Sequence, residues 1–461
     1  MWQVAEHFVP REHQRLGTQF LLGGPRRMLV ADPGLGKTTE AYSAVDILSM
    51  AGGDCLPVLV LAPKRVADVV WTGERDKWDA FQDFKVIKIM GTPAERLAAL
   101  HAPKADIYVC NYDLVPWLVA QLPPGKWPFK LVIADECSKL KGFRLNKGGV
   151  RAGELAKIAR FTPLWWNLTG TPCPNGLQDL WGQMWFIDQG ERLGRTYTHF
   201  FDRFFIQNEY TRKITMQQGA EKEIHDAVKD VLAVFRVEDW LDVMQPEVIP
   251  IQFKLPPKAQ EQYDAMEKDY FLSLTDKDIE VGTAAAKGFK LLQMCSGNIY
   301  DDTGTTHHIH DAKIEALADV VEQTGPEPII VTYWWQFDRS VLQNAFPGAR
   351  VYSGQKDQDD FNAGKIKMLL LHEQSAYGIS LHHGGRDIVF YSYVWNAELR
   401  QQMVERCGPA RQAQAGYKRV VRIWDISAVG TVEEDVIASN AGKITVEQAL
   451  KQARARVRSK R

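Results

Sequence analysis

Residues 29–39, which read L-V-A-D-P-G-L-G-K-T-T, constrain the fold of this chain more than any other stretch. The apolar run at 28–31 predicts a buried strand, and the spacing of apolar residues after Lys37 predicts a helix. Between them, Gly34 and Gly36 allow backbone N–H groups to turn toward an anion, and the first turn of the helix adds the positive end of its dipole. A strand, a glycine loop and a helix in this order predict a phosphate-binding loop in an α/β fold.

Two side chains after the glycines indicate which ligand the loop binds. Lys37 is placed to reach the terminal phosphates of a nucleotide, and Thr38 can supply a hydroxyl to Mg²⁺. Upstream, the side-chain amide of Gln14 can donate and accept hydrogen bonds at once, which suits the edge of an adenine ring. We therefore expect ATP and Mg²⁺ as cofactors, with Lys37 as a catalytic residue.

A second signal for ATP chemistry is the pair of adjacent acids, Asp135 and Glu136, which follows the apolar run 131–134. Adjacent carboxylates at the end of a buried strand are costly unless a ligand uses their charge. With a phosphate loop in the same chain, Asp135 is expected to bind Mg²⁺ through water. Glu136 is expected to orient the water that attacks the terminal phosphate.

Strands that alternate with helical stretches predict a parallel sheet, in which ligands bind beyond the carboxyl ends of the strands. Lys64 follows the apolar run 58–62, and Asn111 and Tyr112 end the run that begins at Ile107. These positions make them candidates for holding the phosphate backbone of a nucleic acid. A turn lysine and a packed tyrosine are an equally ordinary explanation of the same residues.

Composition limits the functional classes. The formal net charge is −1, so the charge sum does not support nucleic-acid binding, which would need a locally basic face. None of the six cysteines stands in a C-x-x-C pair, so we expect reduced thiols and neither a disulfide framework nor a zinc site. No apolar run is long enough to span a membrane, and the N-terminus resembles no signal segment. These features predict a cytoplasmic protein without membrane contact, in the host cytoplasm if a phage encodes it.

Residues 168–172 read L-T-G-T-P and are followed by N-G-L-Q-D-L-W at 175–181. This combination resembles motif III of the Swi/Snf-type ATPases of helicase superfamily two, although Cys173 and Pro174 intervene where the family usually has Leu-Gln. The phosphate loop, A-x-x-G-x-G-K-T, likewise resembles motif I of that superfamily. In the family, the motif III segment couples the nucleotide site to the DNA-gripping surface, which implies a DNA-binding role for Thr169.

The second half of the chain continues this resemblance. Residues 374–385 look like motif V in the form that short phage-borne Swi/Snf-like proteins carry, which implies a DNA contact at Gly378. Residues 430–434 read G-T-V-E-E and match the family segment near the end of its second lobe.

Residues 395–412 resemble motif VI, whose arginines reach across the cleft to the terminal phosphate of ATP. Arg406 matches the first of these arginines, whereas Pro409 stands where the second is usual. Arg411 is the candidate substitute, because a cation at this place stabilises charge that develops during phosphoryl transfer. The resemblance also implies nucleotide contacts for Pro33, Gly34, Gly36, Thr39 and Gln402.

The fold that the resemblance implies is α/β, with two RecA-like P-loop lobes that carry parallel sheets and bind ATP between them. We expect the first lobe at 1–178, a mainly helical insertion at 179–300, and the second lobe at 301–461 with a basic C-terminal helix. The implied activity is that of a DNA-dependent ATPase that moves along double-stranded or branched DNA as a monomer. The basic tail at 451–461 is either a solvated face or an additional phosphate contact.

Other functions fit parts of the same sequence. A DEAD-box-like RNA helicase shares the nucleotide motifs, but its second motif would read D-E-A-D where this chain has D-E-C-S. A strand-separating helicase needs a wedge, and no aromatic-tipped hairpin is evident between the second-lobe motifs, where Trp334 and Trp335 are expected to pack. A remodeller that displaces a protein partner from DNA would have the same ATPase motor and the same motifs. A non-enzymatic binding protein would have lost some of the residues that bind and hydrolyse ATP.

Overall fold

The computed structural model describes residues 5–102, 104–145, 149–173, 176–207, 214–273, 288–376 and 378–442, together with Gln448 and Gln452. The chain divides into two compact units, Met1–Trp240 and Leu241–Arg461. Each unit is built on a parallel sheet with helices, which confirms the predicted α/β class. Most of the predicted basic helix at 451–461, and residues 174 and 175 of the motif III segment, lie outside the described residues.

The helices and strands of the first unit alternate along the chain. Its helices are α1 (Glu12–Leu22), α2 (Lys37–Met50), α3 (Trp71–Lys77), α4 (Pro93–His101), α5 (Val115–Gln121), α6 (Val150–Ala159), α7 (Leu180–Asp188), α8 (Tyr197–Phe204) and α9 (Ala220–Val228). Its strands are β1 (Arg26–Ala31), β2 (Val58–Ala62), β3 (Val86–Ile89), β4 (Ile107–Asn111), β5 (Leu131–Asp135), β6 (Leu164–Thr169), β7 (Phe205–Gln207), β8 (Ile214–Met216) and β9 (Leu232–Phe235).

Among the described residues, the main sheet of the first unit has the strand order β3-β4-β2-β5-β6-β1-β9, and every neighbouring pair is parallel. Alternate residues of β2 enter two different apolar clusters, Leu59 and Leu61 on one face and Val58 and Val60 on the other. Because both faces are covered, β2 and β5 are buried throughout, which explains their continuous apolar sequences. β7 and β8 form a separate antiparallel hairpin.

The second unit repeats this architecture. Its helices are α10 (Pro257–Ser273), α11 (Phe289–Cys295), α12 (Ala312–Thr324), α13 (Gln336–Ala345), α14 (Gln355–Asn362), α15 (Ala397–Arg406), α16 (Pro409–Gln414) and α17 (Val432–Asn440). Its strands are β10 (Glu247–Phe253), β11 (Asn298–Tyr300), β12 (Thr306–His308), β13 (Ile329–Tyr333), β14 (Arg350–Val351), β15 (Met368–His372), β16 (Asp387–Phe390) and β17 (Arg422–Ala428).

The described portion of the second unit contains a parallel sheet with the order β10-β17-β16-β13-β15-β14. In the G-T-V-E-E segment, Glu433 forms a buried ion pair with Lys313 of α12, so this acid has a structural role. Trp335 is buried, and Trp334 stacks on His372 with a ring-centroid distance of 5.3 Å. Both tryptophans therefore pack, as predicted.

The structure divides the predicted insertion at 179–300 between the two units. α7 packs against β1 and β6, and β9 pairs with β1, so the chain up to Trp240 completes the first unit. β10 pairs with β17 and completes the second sheet. The two compact units divide at residue 240, because strands on either side of it finish the two sheets, while the three-part division at 178 and 300 stays a prediction.

All six cysteines are free, as predicted. Within the described ranges, no helix combines the length and the apolar character that a membrane crossing needs.

Candidate active site

Three strand ends meet at one edge of the first sheet. The order β5-β6-β1 makes these parallel strands neighbours, so their carboxyl ends lie side by side. β5 ends in Asp135, β6 ends in Thr169, and the loop 32–36 follows β1. The residue after β6 lies close to the loop after β1, since a Cβ added to Gly170 would lie 3.0 Å from Cδ of Pro33. The fold thus brings the predicted phosphate loop and the predicted acidic pair to one place.

The loop 32–36 has a backbone suited to a phosphate cradle. Gly34 and Gly36 have φ angles of 92° and 99°, in the left-handed region that favours glycine. Gly36 also lacks room for a side chain, because a Cβ would lie 2.3 Å from Nε2 of Gln14 and 2.9 Å from Oγ1 of Thr39. α2 begins at the next residue, so the unpaired N–H groups of its first turn adjoin the loop. These features fit the phosphates of a nucleotide.

Gln14 lies against this loop from α1. Its Nε2 donates to Oγ1 of Thr39 at 3.1 Å, and Oγ1 of Thr39 donates to the carbonyl oxygen of Gly36 at 2.7 Å. Oε1 of Gln14 accepts from the backbone N–H of Arg11 at 2.9 Å. The structure therefore places Gln14 and Thr39 beside the predicted cradle, while the recognition of adenine by Gln14 stays a prediction.

Lys37 and Thr38 open α2 directly after the loop. Nζ of Lys37 donates to the carbonyl oxygen of Ala31 at 2.7 Å, so the ammonium group lies over the end of β1. Glu40, in the same helix, is buried, and burial raises its pKa to about 8 despite the opposing charge of Lys37. Glu40 is therefore mostly protonated at neutral pH, which leaves the charge of Lys37 available to an anion.

The carboxylate of Asp135 is buried and held by two donors. Nε1 of Trp71 donates to its Oδ2 at 2.9 Å, and the backbone N–H of Glu136 donates to its Oδ1 at 3.1 Å. Burial and the neighbouring charge of Glu136 raise the pKa of Asp135, whereas Trp71 and Lys37 act in the opposite direction. A divalent cation at this carboxylate would favour its ionised form.

Glu136 has an unusual backbone for a residue with a side chain. Its φ is 53°, in the left-handed region that residues other than glycine rarely adopt. Such conformations cost on the order of 1–3 kcal/mol and tend to occur at functional sites. Oγ1 of Thr169 donates to Oε2 of Glu136 at 3.4 Å. The strained turn and this contact together direct the carboxylate of Glu136 toward the edge where the strand ends meet.

The predicted ligands suit Mg²⁺. The hydroxyl of Thr38 and the carboxylate of Asp135 are hard oxygen donors, and Mg²⁺ in nucleotide sites usually keeps water and phosphate oxygens as its other ligands. Within the described ranges, no group of three or more His, Cys, Asp or Glu side chains could hold a metal ion by itself. The binding of Mg²⁺ by Thr38 and Asp135 stays a prediction.

Two buried residues that sequence reasoning did not assign to the site support it. Trp71 contacts Asp135 although the two are far apart in sequence, and no local pattern could have revealed that contact. His13 is buried, and its Nε2 donates to the carbonyl oxygen of Leu35 in the loop at 2.9 Å. Burial lowers the pKa of His13.

Three of the predicted DNA contacts have buried side chains in the structure. These residues are Asn111, Tyr112 and Thr169. The hydroxyl of Tyr112 donates to the carbonyl oxygen of Asp135 at 2.9 Å, and that of Thr169 contacts Glu136. The side chains of Tyr112 and Thr169 therefore support the acidic pair, and a DNA contact at the three residues stays a prediction. Lys64 is exposed at the carboxyl end of β2, as a DNA contact requires.

In the second unit, the predicted motif V and motif VI residues contact one another. Arg406 ends α15, and its Nη1 donates to the carbonyl oxygen of Ile379 at 3.4 Å. Arg411, on α16, donates through Nη1 to Oγ of Ser380 at 2.7 Å. Gly378, just before these residues, has a φ of 71° and is partly buried. The roles of these residues toward nucleotide and DNA stay predictions.

Two further residues of motif VI have clear local roles. Pro409 is the first residue of α16, where its missing N–H costs no helical hydrogen bond. Gln402 lies on α15, where its Nε2 donates to Oε1 of Glu398 at 3.3 Å. Its carbonyl oxygen accepts from Nε of Arg406 at 2.9 Å.

Comparison with known proteins identifies similar sequences. Residues 13–292 match the protein family described as the SNF2-related domain. "Putative protein p41" of Acyrthosiphon pisum secondary endosymbiont phage 1 is 42% identical over 454 residues, which cover 97% of this chain and 98% of that protein. The "Probable chromatin-remodeling complex ATPase chain" of Oryza sativa subsp. japonica is 24% identical over 483 residues, which cover 95% of this chain. The chain spans 40% of the length of that relative.

Among solved structures, one similar chain is that of the Sulfolobus solfataricus SWI2/SNF2 ATPase core in complex with dsDNA. The alignment covers 97% of this chain and 95% of the other, at 17% sequence identity and a TM-score of 0.45.

Proposed function

This chain belongs to the SNF2-related family of ATPases, and on that premise we propose that it hydrolyses ATP in order to move along double-stranded DNA. The resemblance drawn from motifs I and III is confirmed by the family match over residues 13–292. Motifs V and VI lie beyond that match, in the part of the chain that the phage relative also covers. ATP and Mg²⁺ are the proposed cofactors, and duplex or branched DNA is the proposed partner.

The observation that best supports this function is the convergence of Lys37, Asp135 and Glu136 at one edge of the first sheet. Each of these side chains has a partner that orients it: a carbonyl oxygen for Lys37, an indole for Asp135 and a hydroxyl for Glu136. A cation, a carboxylate that can bind a metal ion and a second carboxylate that can position water are groups that hydrolysis of a nucleoside triphosphate uses.

The proposed mechanism assigns one task to each group. Mg²⁺ held by Thr38 and Asp135 would supply positive charge that stabilises the phosphate oxygens of the ADP leaving group. The N–H groups of the loop bind phosphate oxygens, and Lys37 exchanges its bond to the carbonyl oxygen of Ala31 for a bond to the terminal phosphate. Glu136, directed by Thr169, orients and polarises the water that attacks the terminal phosphate, and ADP leaves as the phosphoanhydride bond breaks.

DNA binding is proposed for the exposed Lys64 in the first unit and for the backbone at Gly378 in the second. The described sheet-edge positions offer few other exposed candidates, since the polar ends of β4 and β6 are buried. We infer that the protein binds mainly the phosphate backbone of the DNA. The logarithm of its affinity for DNA should then fall linearly with the logarithm of the salt concentration.

Duplex DNA is expected to stimulate ATP hydrolysis more strongly than single-stranded DNA or RNA. Phosphate release should be measured without nucleic acid and with single-stranded, duplex, forked and RNA substrates. Movement along the duplex should appear as ATP-dependent displacement of the third strand from a triplex. Stimulation by RNA alone, or stimulation by DNA without displacement, would contradict the proposed translocation.

A strand-separating helicase is the second candidate. The β7–β8 hairpin of the first unit exposes the apolar side chains of Ile206, Ile214 and Met216, and an exposed hairpin is an element that can act as a wedge between the strands of a duplex. The triplex assay distinguishes the candidates when it is paired with unwinding of a long plain duplex. Robust unwinding by the purified chain would favour the helicase.

Arg406→Ala and Arg411→Ala are expected to lower turnover far more than ATP affinity. Arginine fingers in other phosphoryl-transfer enzymes are worth about 10³–10⁵-fold in rate. The matched control is Arg339→Ala, which removes an exposed arginine from α13 of the same unit. Full activity of Arg411→Ala, in a variant that unfolds at the normal temperature, would remove Arg411 as the substitute for the arginine that Pro409 replaces.

A further inference from the structure

Trp71 contacts the proposed metal-binding carboxylate directly. Its Nε1 donates to Oδ2 of Asp135 at 2.9 Å, and both side chains are buried. Since Oδ1 accepts from the backbone N–H of Glu136, each oxygen of Asp135 has a fixed donor. One indole and one backbone group therefore set the plane of this carboxylate, while the remaining lone pairs stay available to a ligand.

Burial alone does not require this hydrogen bond. Trp166 of β6 belongs to the same apolar cluster as Trp71, and the two side chains are 1% and 0% exposed. Nε1 of Trp166 nevertheless has no hydrogen-bond partner among the residues that the structure describes. The core of the first unit thus tolerates an unpaired indole, and the placement of Trp71 against Asp135 calls for a separate reason.

Trp71 is also joined to the helix that follows the phosphate loop. The hydroxyl of Tyr42 on α2 donates to the carbonyl oxygen of Trp71 at 2.8 Å, and the centroids of the two rings are 5.1 Å apart. Since α2 begins at Lys37, Trp71 lies between the helix of the phosphate loop and the strand that carries the acidic pair.

The same residue belongs to a helical segment that begins at the surface. Residues 64–77 are helical throughout, from the exposed Lys64 through a π-helical turn at Val66–Val70 to α3. Ala67, in this turn, packs in the same apolar cluster as Trp71. π-Helical turns are rare and occur often at functional sites. A continuous helical segment provides a direct mechanical path from Lys64 to the indole.

We propose that Trp71 is a positioning residue that orients Asp135 for Mg²⁺ and that couples this orientation to DNA contact at Lys64. The inference rests on the proposed ATPase function and adds a route by which DNA stimulates it. DNA bound at Lys64 stabilises the segment 64–77 in the arrangement that holds Trp71 against Asp135. Binding of the metal ion then becomes more favourable with DNA than without it.

Trp71→Phe tests the positioning role, because phenylalanine keeps an aromatic ring but has no N–H donor. Trp166→Phe is the matched control, since it removes the same atoms from the same core without removing a hydrogen bond. We expect the Mg²⁺ concentration that half-saturates binding of mant-ADP to rise about tenfold in Trp71→Phe, the scale typical of lost outer-sphere partners. In Trp166→Phe it should equal the wild-type value.

Tyr42→Phe is a milder variant in case Trp71→Phe folds poorly. It removes the hydroxyl that holds the carbonyl oxygen of Trp71 and leaves the indole in place. The half-saturating Mg²⁺ concentration should rise in the same direction by a smaller factor. Thermal unfolding of all three variants shows whether loss of stability accompanies the shift. No increase in either Trp71→Phe or Tyr42→Phe relative to Trp166→Phe would overturn the positioning role.

The ratio of duplex-stimulated to unstimulated ATPase tests the coupling when it is measured at a Mg²⁺ concentration below half-saturation for each variant, because the proposed effect acts on metal affinity. Trp71→Phe should lose most of the stimulation, whereas Trp166→Phe should keep it. An unchanged ratio in Trp71→Phe would overturn the coupling. A wild-type chain without ATPase activity on any nucleic acid would instead contradict the proposed function, and the mant-ADP titration separates that case because it needs no hydrolysis.

Discussion

Glu136→Gln is expected to bind ATP and leave it unhydrolysed. The amide keeps the shape of the side chain and an oxygen that can accept from Thr169, but it cannot polarise the attacking water. Proton-transfer groups of this kind contribute about 10²–10⁴-fold to rate, so phosphate release should fall by about 10³-fold. ATP affinity, measured with a fluorescent analogue, should stay near the wild-type value.

Glu221→Gln is a suitable control for Glu136→Gln, because it makes the same charge change at an exposed position of α9 in the same unit. Its phosphate release should equal that of the wild type. If Glu136→Gln hydrolysed ATP at the normal rate, Asp135 and Glu136 would not be the catalytic pair, and the strained backbone at Glu136 would need another explanation.

Lys37→Ala is expected to abolish ATP hydrolysis and to weaken ATP binding. The variant removes the cation that pairs with the terminal phosphates, and a hydrogen bond to a charged group is worth about 1.5–3 kcal/mol. That corresponds to roughly a 10- to 150-fold loss of ATP affinity. Titration with a fluorescent ATP analogue and an assay of phosphate release measure the two effects separately.

Lys104→Ala, which removes an exposed lysine of the same unit, is the control for Lys37→Ala. The thermal midpoint should be compared as well, since Lys37 also donates to the carbonyl oxygen of Ala31. Hydrolysis at the wild-type rate in Lys37→Ala would show that the loop 32–36 does not bind the reacting nucleotide.

The regions of the fold that sequence predicts best are those in which pattern and chemistry coincide locally. The apolar runs at 58–62, 131–134 and 329–333 are all buried strands, because strands covered on both faces leave a continuous apolar signature. The loop 32–36 was predictable for a similar reason. Two left-handed glycines, a lysine and a helix start are all specified within a few neighbouring residues.

Features that depend on contacts between distant residues were not predictable in this way. Polar side chains at strand ends suggested surface contacts, yet Tyr112 and Thr169 turn inward to the acidic pair. Trp71 of α3 contacts Asp135 at the end of β5, and no local spacing records that contact. The return of the chain to the first sheet at β9 was not predicted, because β9 follows a long region of helices and short antiparallel strands.

The position of β9 has a consequence for synthesis of the chain. β1 carries the phosphate loop, and its edge pairs with β9 through registers such as Met28 with Leu232. The loop residue Asp32 likewise accepts from the backbone N–H of Val237 at 2.9 Å. A nascent chain that ends before these residues leaves the ribosome with an unpaired strand edge, which is a site for aggregation. The first unit therefore completes its sheet only after β9 has been synthesised, and fragments that end between β6 and β9 should accumulate in the insoluble fraction when they are expressed.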